Sequence, residues 1–349
     1  MKLRLLAIGA FVASPLLLEG CLYGRGPAGE VGNLAVRSNS PLSALVAAGQ
    51  QYLQKEEPND AFIVFKRAVA LDGKSYDAQL GLAKACAELG EATLGLSAAK
   101  AAAELKPKEA APVLAAARIC AASWRLDEAE ENYGKAVKLD PAQVEAWRDL
   151  GRVRLKRAAV SGGPVDQAIA ALEKARDLGD KDAEGHALLA EAYVRVSRIE
   201  DAVEEYSRAV ALDPARADYP RNLAWLLIMQ GKALGQAREL ALKSDGLERG
   251  DGDALVAAAV ALLRQGQVDE ALKELQEAVG KGSSNGDAYF FLAQAAARRG
   301  RPEDYEMAIS ALQYMRGMEL TPRHASQKEL EDLLDQIRTG AQRVQMGPS

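Results

Sequence analysis

Aligned with itself at an offset of 34 residues, the chain repeats. Ala48, Leu82, Ala116 and Leu150 stand 34 apart, as do Tyr52, Cys86 and Cys120, and Ala68, Ala102 and Ala136. A unit of this length is one supersecondary element that cannot bury its apolar face alone, so neighbouring units must stack and share a continuous core. The residues available say what the unit is made of. Hydrophobic residues make up 48% of the chain but aromatics only 5%. Ala, Leu, Glu, Lys and Arg dominate, and runs of β-branched residues are scarce, which favours helix over strand. Each unit is therefore expected to be two antiparallel helices joined by a short turn.

Eight units follow in register over residues 42–316, at 42–75, 76–109, 110–143, 144–182, 183–216, 217–251, 252–285 and 286–316. The fourth takes about five extra residues around Ser161-Gly162-Gly163-Pro164, and the sixth is divergent. Small residues recur where the two helices of a unit meet: Gly49 with Ala61, Gly151 with Ala168, Ala190 with Ala202, and Ala259 with Ala271. Asp127, Asp166, Asp269 and the pair Glu200–Asp201 open second helices, where they can cap free N–H groups and oppose the positive helix end. Pro107, Pro141 and Pro214 follow second helices and stop them. Beyond the last unit, Thr321-Pro322 reads as a cap followed by proline at the first helical position. Leu330, Leu333, Leu334 and Ile337 then form one apolar stripe, so residues 317–349 are expected to be a helix that closes the stack and a loose tail.

Trp147, Leu150 and Gly151 in the fourth unit, and Tyr193, Ala202, Tyr206, Ala209 and Pro214 in the fifth, resemble the tetratricopeptide-repeat (TPR) pattern. The resemblance implies an all-α protein, a right-handed superhelical solenoid of about eight hairpins, whose first helices line a concave groove for a protein or peptide partner. In that family the ninth position of each first helix usually faces inward. Here it is Gln50, Lys84, Arg118, Arg152, Glu191, Trp225, Val260 and Gln294. Lys84, Arg118 and Arg152, with Arg148 beside them, form a basic ladder. Trp225, Ile228, Val256, Val260 and Phe290 make the other half of the groove apolar. Arginine and aromatic side chains in a concavity are the usual carriers of binding energy. An amphipathic or extended segment with its acidic part toward Lys84–Arg152 and its apolar part toward Trp225 is the expected ligand. The carboxylate clamp of chaperone-binding members is not matched, since its Lys and Asn positions hold Val46 and Gln50.

The N-terminus carries an address. Lys2 and Arg4 precede Leu5–Leu18, an almost wholly apolar run of 14 residues. That is shorter than the roughly 20 residues of a spanning helix and fits a secretory signal. Leu18-Glu19-Gly20-Cys21 resembles the lipobox of bacterial lipoproteins, although Glu19 departs from the small or uncharged residue usual there. The resemblance implies a signal peptide over 1–20, lipid on Cys21, and, from Leu22 after it, sorting to the outer membrane, with the protein facing the periplasm. Residues 21–41, rich in Gly and Pro, read as a flexible tether.

Nothing in the chain points to catalysis or to a cofactor. His186 takes a packing position and His324 lies near an expected helix start, so neither has metal-site spacing. Cys86 and Cys120 fall on equivalent helices about 8–10 Å apart, too far for a disulfide, and read as buried thiols. Ser161-Gly162-Gly163-Pro164 lacks the Lys-Ser/Thr of a phosphate loop. No small-molecule substrate is expected. A net charge of −5 without a basic tract argues against nucleic acid. The expected function is a membrane-anchored, non-enzymatic scaffold, resembling the TPR pilotins that assist secretion or pilus assembly. The alternatives are an adaptor for peptidoglycan hydrolases, as in NlpI-like lipoproteins, or a structural subunit of an outer-membrane assembly complex.

Overall fold

The computed structural model describes residues 41–248, 252–280 and 285–346. The signal segment, Cys21 and all of the tether but Pro41 lie outside the described residues. Among the described residues there are seventeen helices and no strand. They pair in chain order: α1 (Leu42–Gln54) with α2 (Pro58–Leu71), α3 (Tyr76–Leu89) with α4 (Ala92–Leu105), α5 (Ala110–Ala122) with α6 (Leu126–Leu139), and α7 (Val144–Ser161) with α8 (Asp166–Asp177). Then follow α9 (Ala183–Arg195) with α10 (Ile199–Leu212), α11 (Asp218–Gln230) with α12 (Leu234–Leu247), α13 (Gly252–Arg264) with α14 (Val268–Gly280), and α15 (Gly286–Arg299) with α16 (Pro302–Gly317). A last helix, α17 (Gln327–Met346), has no partner of its own and lies on α15 and α16. Each helix packs on its chain neighbours, and first helices also meet across units, α3 on α5, α11 on α13 and α13 on α15. This is the all-α solenoid of stacked hairpins.

The small residues set how closely the helices approach. Phe65 on α2 is wholly buried. A Cβ added to Gly49 would lie 2.7 Å from its ring, and one added to Gly81 only 2.1 Å away. The ring therefore fills the space that two glycines on α1 and α3 leave, and ties three helices together. Leu172 fills the same kind of space at Gly151, where a Cβ would come within 2.4 Å. Burying side chains of this size contributes about 1.5–3 kcal/mol each, and stacking repeats the gain along the chain.

Turn chemistry explains where helices stop. Pro107, Pro141 and Pro214 each stand two residues beyond the ends of α4, α6 and α10. The acidic residues expected to cap second helices sit inside the first turn, one to three positions past the cap. In α6, α8 and α10 the first-turn Asp127, Asp166, Glu200 and Asp201 make no side-chain cap bond. They act through their charge on the helix dipole. In the turn between α5 and α6, Trp124 takes the left-handed conformation, φ 57°, as Glu56 and Ser197 do in the first and fifth hairpins and Gly90, Gly231 and Gly300 do in others. Its indole gains little burial there, being 68% exposed under the Lys156 ammonium. The extra residues of the fourth unit lengthen α7 to 18 residues and leave Val160 on the outside.

The C-terminal segment differs from the sequence reading. Thr321-Pro322 does not start a helix. Residues 320–326 run without regular structure, and α17 begins at Gln327. The cap is Ser326, whose Oγ accepts from the Glu329 N–H at 3.2 Å, while the Ser326 N–H donates to Glu329 at 2.7 Å. That reciprocal box satisfies two end groups at once. The stretch expected to be a loose tail from residue 341 is helical through Met346.

Candidate partner-binding groove

The first helices of the hairpins face one side, and the two halves of that side differ. Between α1, α3, α5 and α7 lies an open cleft of about 760 Å³. It is lined by the apolar Leu53, Leu114 and Ala87, by the cations Lys84 and Arg118, and by Glu56, Glu88 and Glu145. Lys84 makes no ion pair among the described residues. Burial and the neighbouring Arg118 charge both hold its ammonium below the ordinary value. An uncompensated cation in that setting gains from any anion brought to it.

The rest of the basic ladder is already partnered. Arg148 bonds Asp180 at 2.9 Å and meets Asp182 at 3.1 Å. Arg152 bonds Asp149 at 2.8 Å and Glu184 at 2.9 Å. Arg118 approaches the same Asp149 at 3.5 Å. Asp149 is buried and also accepts from the Tyr133 hydroxyl at 3.4 Å. Arg148 thus ties α7 to the turn between α8 and α9, and Arg152 ties α7 to α9, rather than presenting free charge. Both pairs, Arg148–Asp180 and Arg152–Glu184, stand 32 residues apart, close to the repeat length.

The apolar half of the groove is covered. Trp225 is 5% exposed, Ile228 4%, Phe290 1%, and Val256 and Val260 0%. The expectation that these five residues line an open groove is corrected. The chain's own C-terminal segment lies over Trp225 and the starts of α13 and α15, while Ile228, Val256, Val260 and Phe290 are buried in the core that α11, α13 and α15 share. The His324 ring stacks on the Trp225 indole at 3.7 Å and an interplanar angle of 2°, and Phe291 borders the indole at 6.0 Å. Asp287, wholly buried at the start of α15, accepts from the His324 backbone N–H and pairs with its Nδ1, both at 2.9 Å. Arg323 reaches Asp253 at 3.3 Å. At Gly286 a Cβ would lie 2.5 Å from the Thr321 carbonyl, so glycine there is what lets the segment pass. His324, expected at an exposed helix start, is half-buried in this contact.

Elsewhere the titratable groups have packing roles. His186 Nδ1 meets the buried Glu205 at 2.6 Å, and Nε2 faces the Asp180 carbonyl at 3.2 Å. Cys86 and Cys120 are free and buried. Burial pushes the Cys86 thiol up to about 11, far from a reactive thiolate. No group of three or more metal-ligating side chains occurs among the described residues. None of their helices is long and apolar enough to cross a membrane.

The family model of the tetratricopeptide repeat matches residues 114–183, 154–217, 187–253 and 256–313, more than half of the chain. No curated protein matches the sequence significantly. Among solved structures, YrrB, described as a TPR protein with an unusual peptide-binding site, superposes with a TM-score of 0.51 at 22% identity, over 55% of this chain and 96% of its own. The pilF protein of Pseudomonas aeruginosa gives 0.53 at 20% identity, over 61% of this chain and 94% of its own. At these identities the similarity is one of fold.

Proposed function

Because the chain belongs to the tetratricopeptide-repeat family, we propose that it is a non-enzymatic scaffold holding a segment of another protein in the open cleft between α1 and α7. One observation carries this reading: Lys84, an unpaired cation beside Arg118, lines a 760 Å³ cleft together with apolar residues. A ligand that fits places an acidic side chain at Lys84 and Arg118 and apolar side chains against Leu53 and Leu114. Charge there sets orientation, and the apolar contacts supply most of the affinity. Lys84→Glu should weaken partner capture by about tenfold or more, while Val160→Glu on the outside should leave it unchanged. Equal capture by both variants would remove the cleft from the account.

The finer reading places this scaffold in a bacterial envelope, anchored by lipid on Cys21 and facing the periplasm, and gives it a pilotin-like role in assembling a secretion or pilus system. The support is Leu18-Glu19-Gly20-Cys21 after a short apolar run, joined to a repeat body built for protein contacts. Several acyl chains at one residue anchor stably, whereas one gives only marginal binding. Cys21→Ser should therefore move the protein from the membrane pellet to the soluble fraction with its helicity intact. A mutant that pelleted as fully as wild type would sink the lipid anchor and leave the scaffold reading standing.

A further inference from the structure

We propose that the C-terminal half of the groove is a second peptide site, held closed by residues 318–346 acting as an intramolecular ligand. Its intended occupant is an extended segment of another protein carrying a flat, cation-capable ring. The segment over this half is attached like a ligand rather than like a ninth hairpin. Of α17's described side chains only Leu333 and Ile337 are buried, and Leu334 is left 45% exposed. Leu320, Ala325 and Leu330 pack partly buried on the same core, and the polar hold is the His324 ring on Trp225 with two bonds from His324 to Asp287. Beneath His324 lies the Trp225 indole, bordered by Phe291, both almost fully buried.

Two polar groups on the groove-facing helices α11 and α15 are left unsatisfied. The indole N–H of Trp225 and the amide oxygen Oε1 of Gln294 are both buried without a partner among the described residues. Trp225 and Gln294 occupy the same groove-facing position on α11 and α15. A buried donor and a buried acceptor left unmade are costly, and an extended backbone offers one of each. The seat also states its charge preference. Asp287 and Asp253 take His324 and Arg323 from the cover, so an incoming segment with an imidazole or another flat cationic group meets two carboxylates already in position. The structure thus contains a plug over an aromatic seat in which the Trp225 indole N–H has no partner. Such a plug lowers the apparent affinity of any competitor by the fraction of time that the seat is closed. The inference presupposes a scaffold that binds protein segments, but the Lys84 cleft stands or falls without it.

The test uses the full chain and a fluorescein-labelled peptide of residues 318–343. Wild type should bind the peptide weakly, because its own segment competes. The His324→Ala chain should bind it about tenfold more tightly, and the peptide carrying His324→Ala should lose that gain. Equal binding by both chains would overturn the proposal, as would a gain indifferent to the peptide's His324. Hydrogen exchange on wild type guards against a folding artefact. Amides of α17 should exchange well ahead of those of α15. If the two exchange together, or if His324→Ala unfolds the chain, the segment is an integral part of the fold and the proposal fails.

Discussion

Phe65→Ala should destabilise the N-terminal hairpins by about 3–5 kcal/mol, the range for a fully buried aromatic ring cut back to a methyl group. The ring is wholly enclosed and fits against Gly49 on α1 and Gly81 on α3. Neither glycine has a side chain that could fold into the vacated space, so the cavity persists and the cost falls at the upper end. A solenoid's units depend mostly on their neighbours. The loss should therefore appear in urea unfolding as an early transition of the first hairpins, with the C-terminal half melting as before. Phe65→Leu keeps most of the volume and should cost about half as much. A Phe65→Ala chain as stable as wild type would mean that the ring does not sit between the two glycines.

Glu205→Ala should cost about 3 kcal/mol, because it removes one side of a buried ionic cluster and strands the rest. The Glu205 carboxylate is 3% exposed and meets His186 at 2.6 Å, Arg208 at 2.9 Å and Arg176 at 3.4 Å. Burial pushes its pKa up, but the hydrogen bond with His186 and the charges of Arg208 and Arg176 outweigh burial and hold it below 4.5. For His186 the hydrogen bond to Glu205 outweighs burial and holds the imidazolium above 6.5. The lowered acid contributes stability above about pH 4.5 and loses it as pH falls through its folded-state value. The raised base contributes fully below about pH 6.5 and loses it as pH rises through its own. Both contributions are complete between these limits, so the wild-type excess over Glu205→Ala should peak in that window and shrink on either side. An excess that rose steadily to pH 9 would contradict the assignment of charge to His186.

The local structure was legible because it is set by local spacing. The helix starts at Tyr76, Ala110 and Val144 follow the 34-residue offset, and the extra residues of the fourth unit appear as added turns on α7. What the sequence hid depends on which distant groups meet. Arg148 and Arg152 read as free charge because Asp180 and Glu184, the carboxylates they reach, each lie 32 residues away. Trp225, Ile228, Val256, Val260 and Phe290 read as exposed groove because periodicity identifies the face a residue occupies but not what lies over it. The covering segment was misread in turn. Thr321-Pro322 carries a helix-start pattern, but Asp287, Trp225 and Gly286 hold residues 321–324 in a path without regular structure. The Ser326–Glu329 capping box, three positions apart before an apolar stripe, was the cue that marked the true start.

Division of the groove into an open N-terminal half and a covered C-terminal half changes where a partner should be sought. The direct measurement is photocrosslinking in cells, with a crosslinking residue placed at Ala87 in the cleft lining and, separately, at Val160 outside it, each in wild-type and Lys84→Glu backgrounds. A discrete protein adduct is expected from position 87, reduced about tenfold or more by Lys84→Glu, and none from position 160. Adducts from position 160 alone, or an adduct from 87 undiminished by Lys84→Glu, would contradict binding in the cleft.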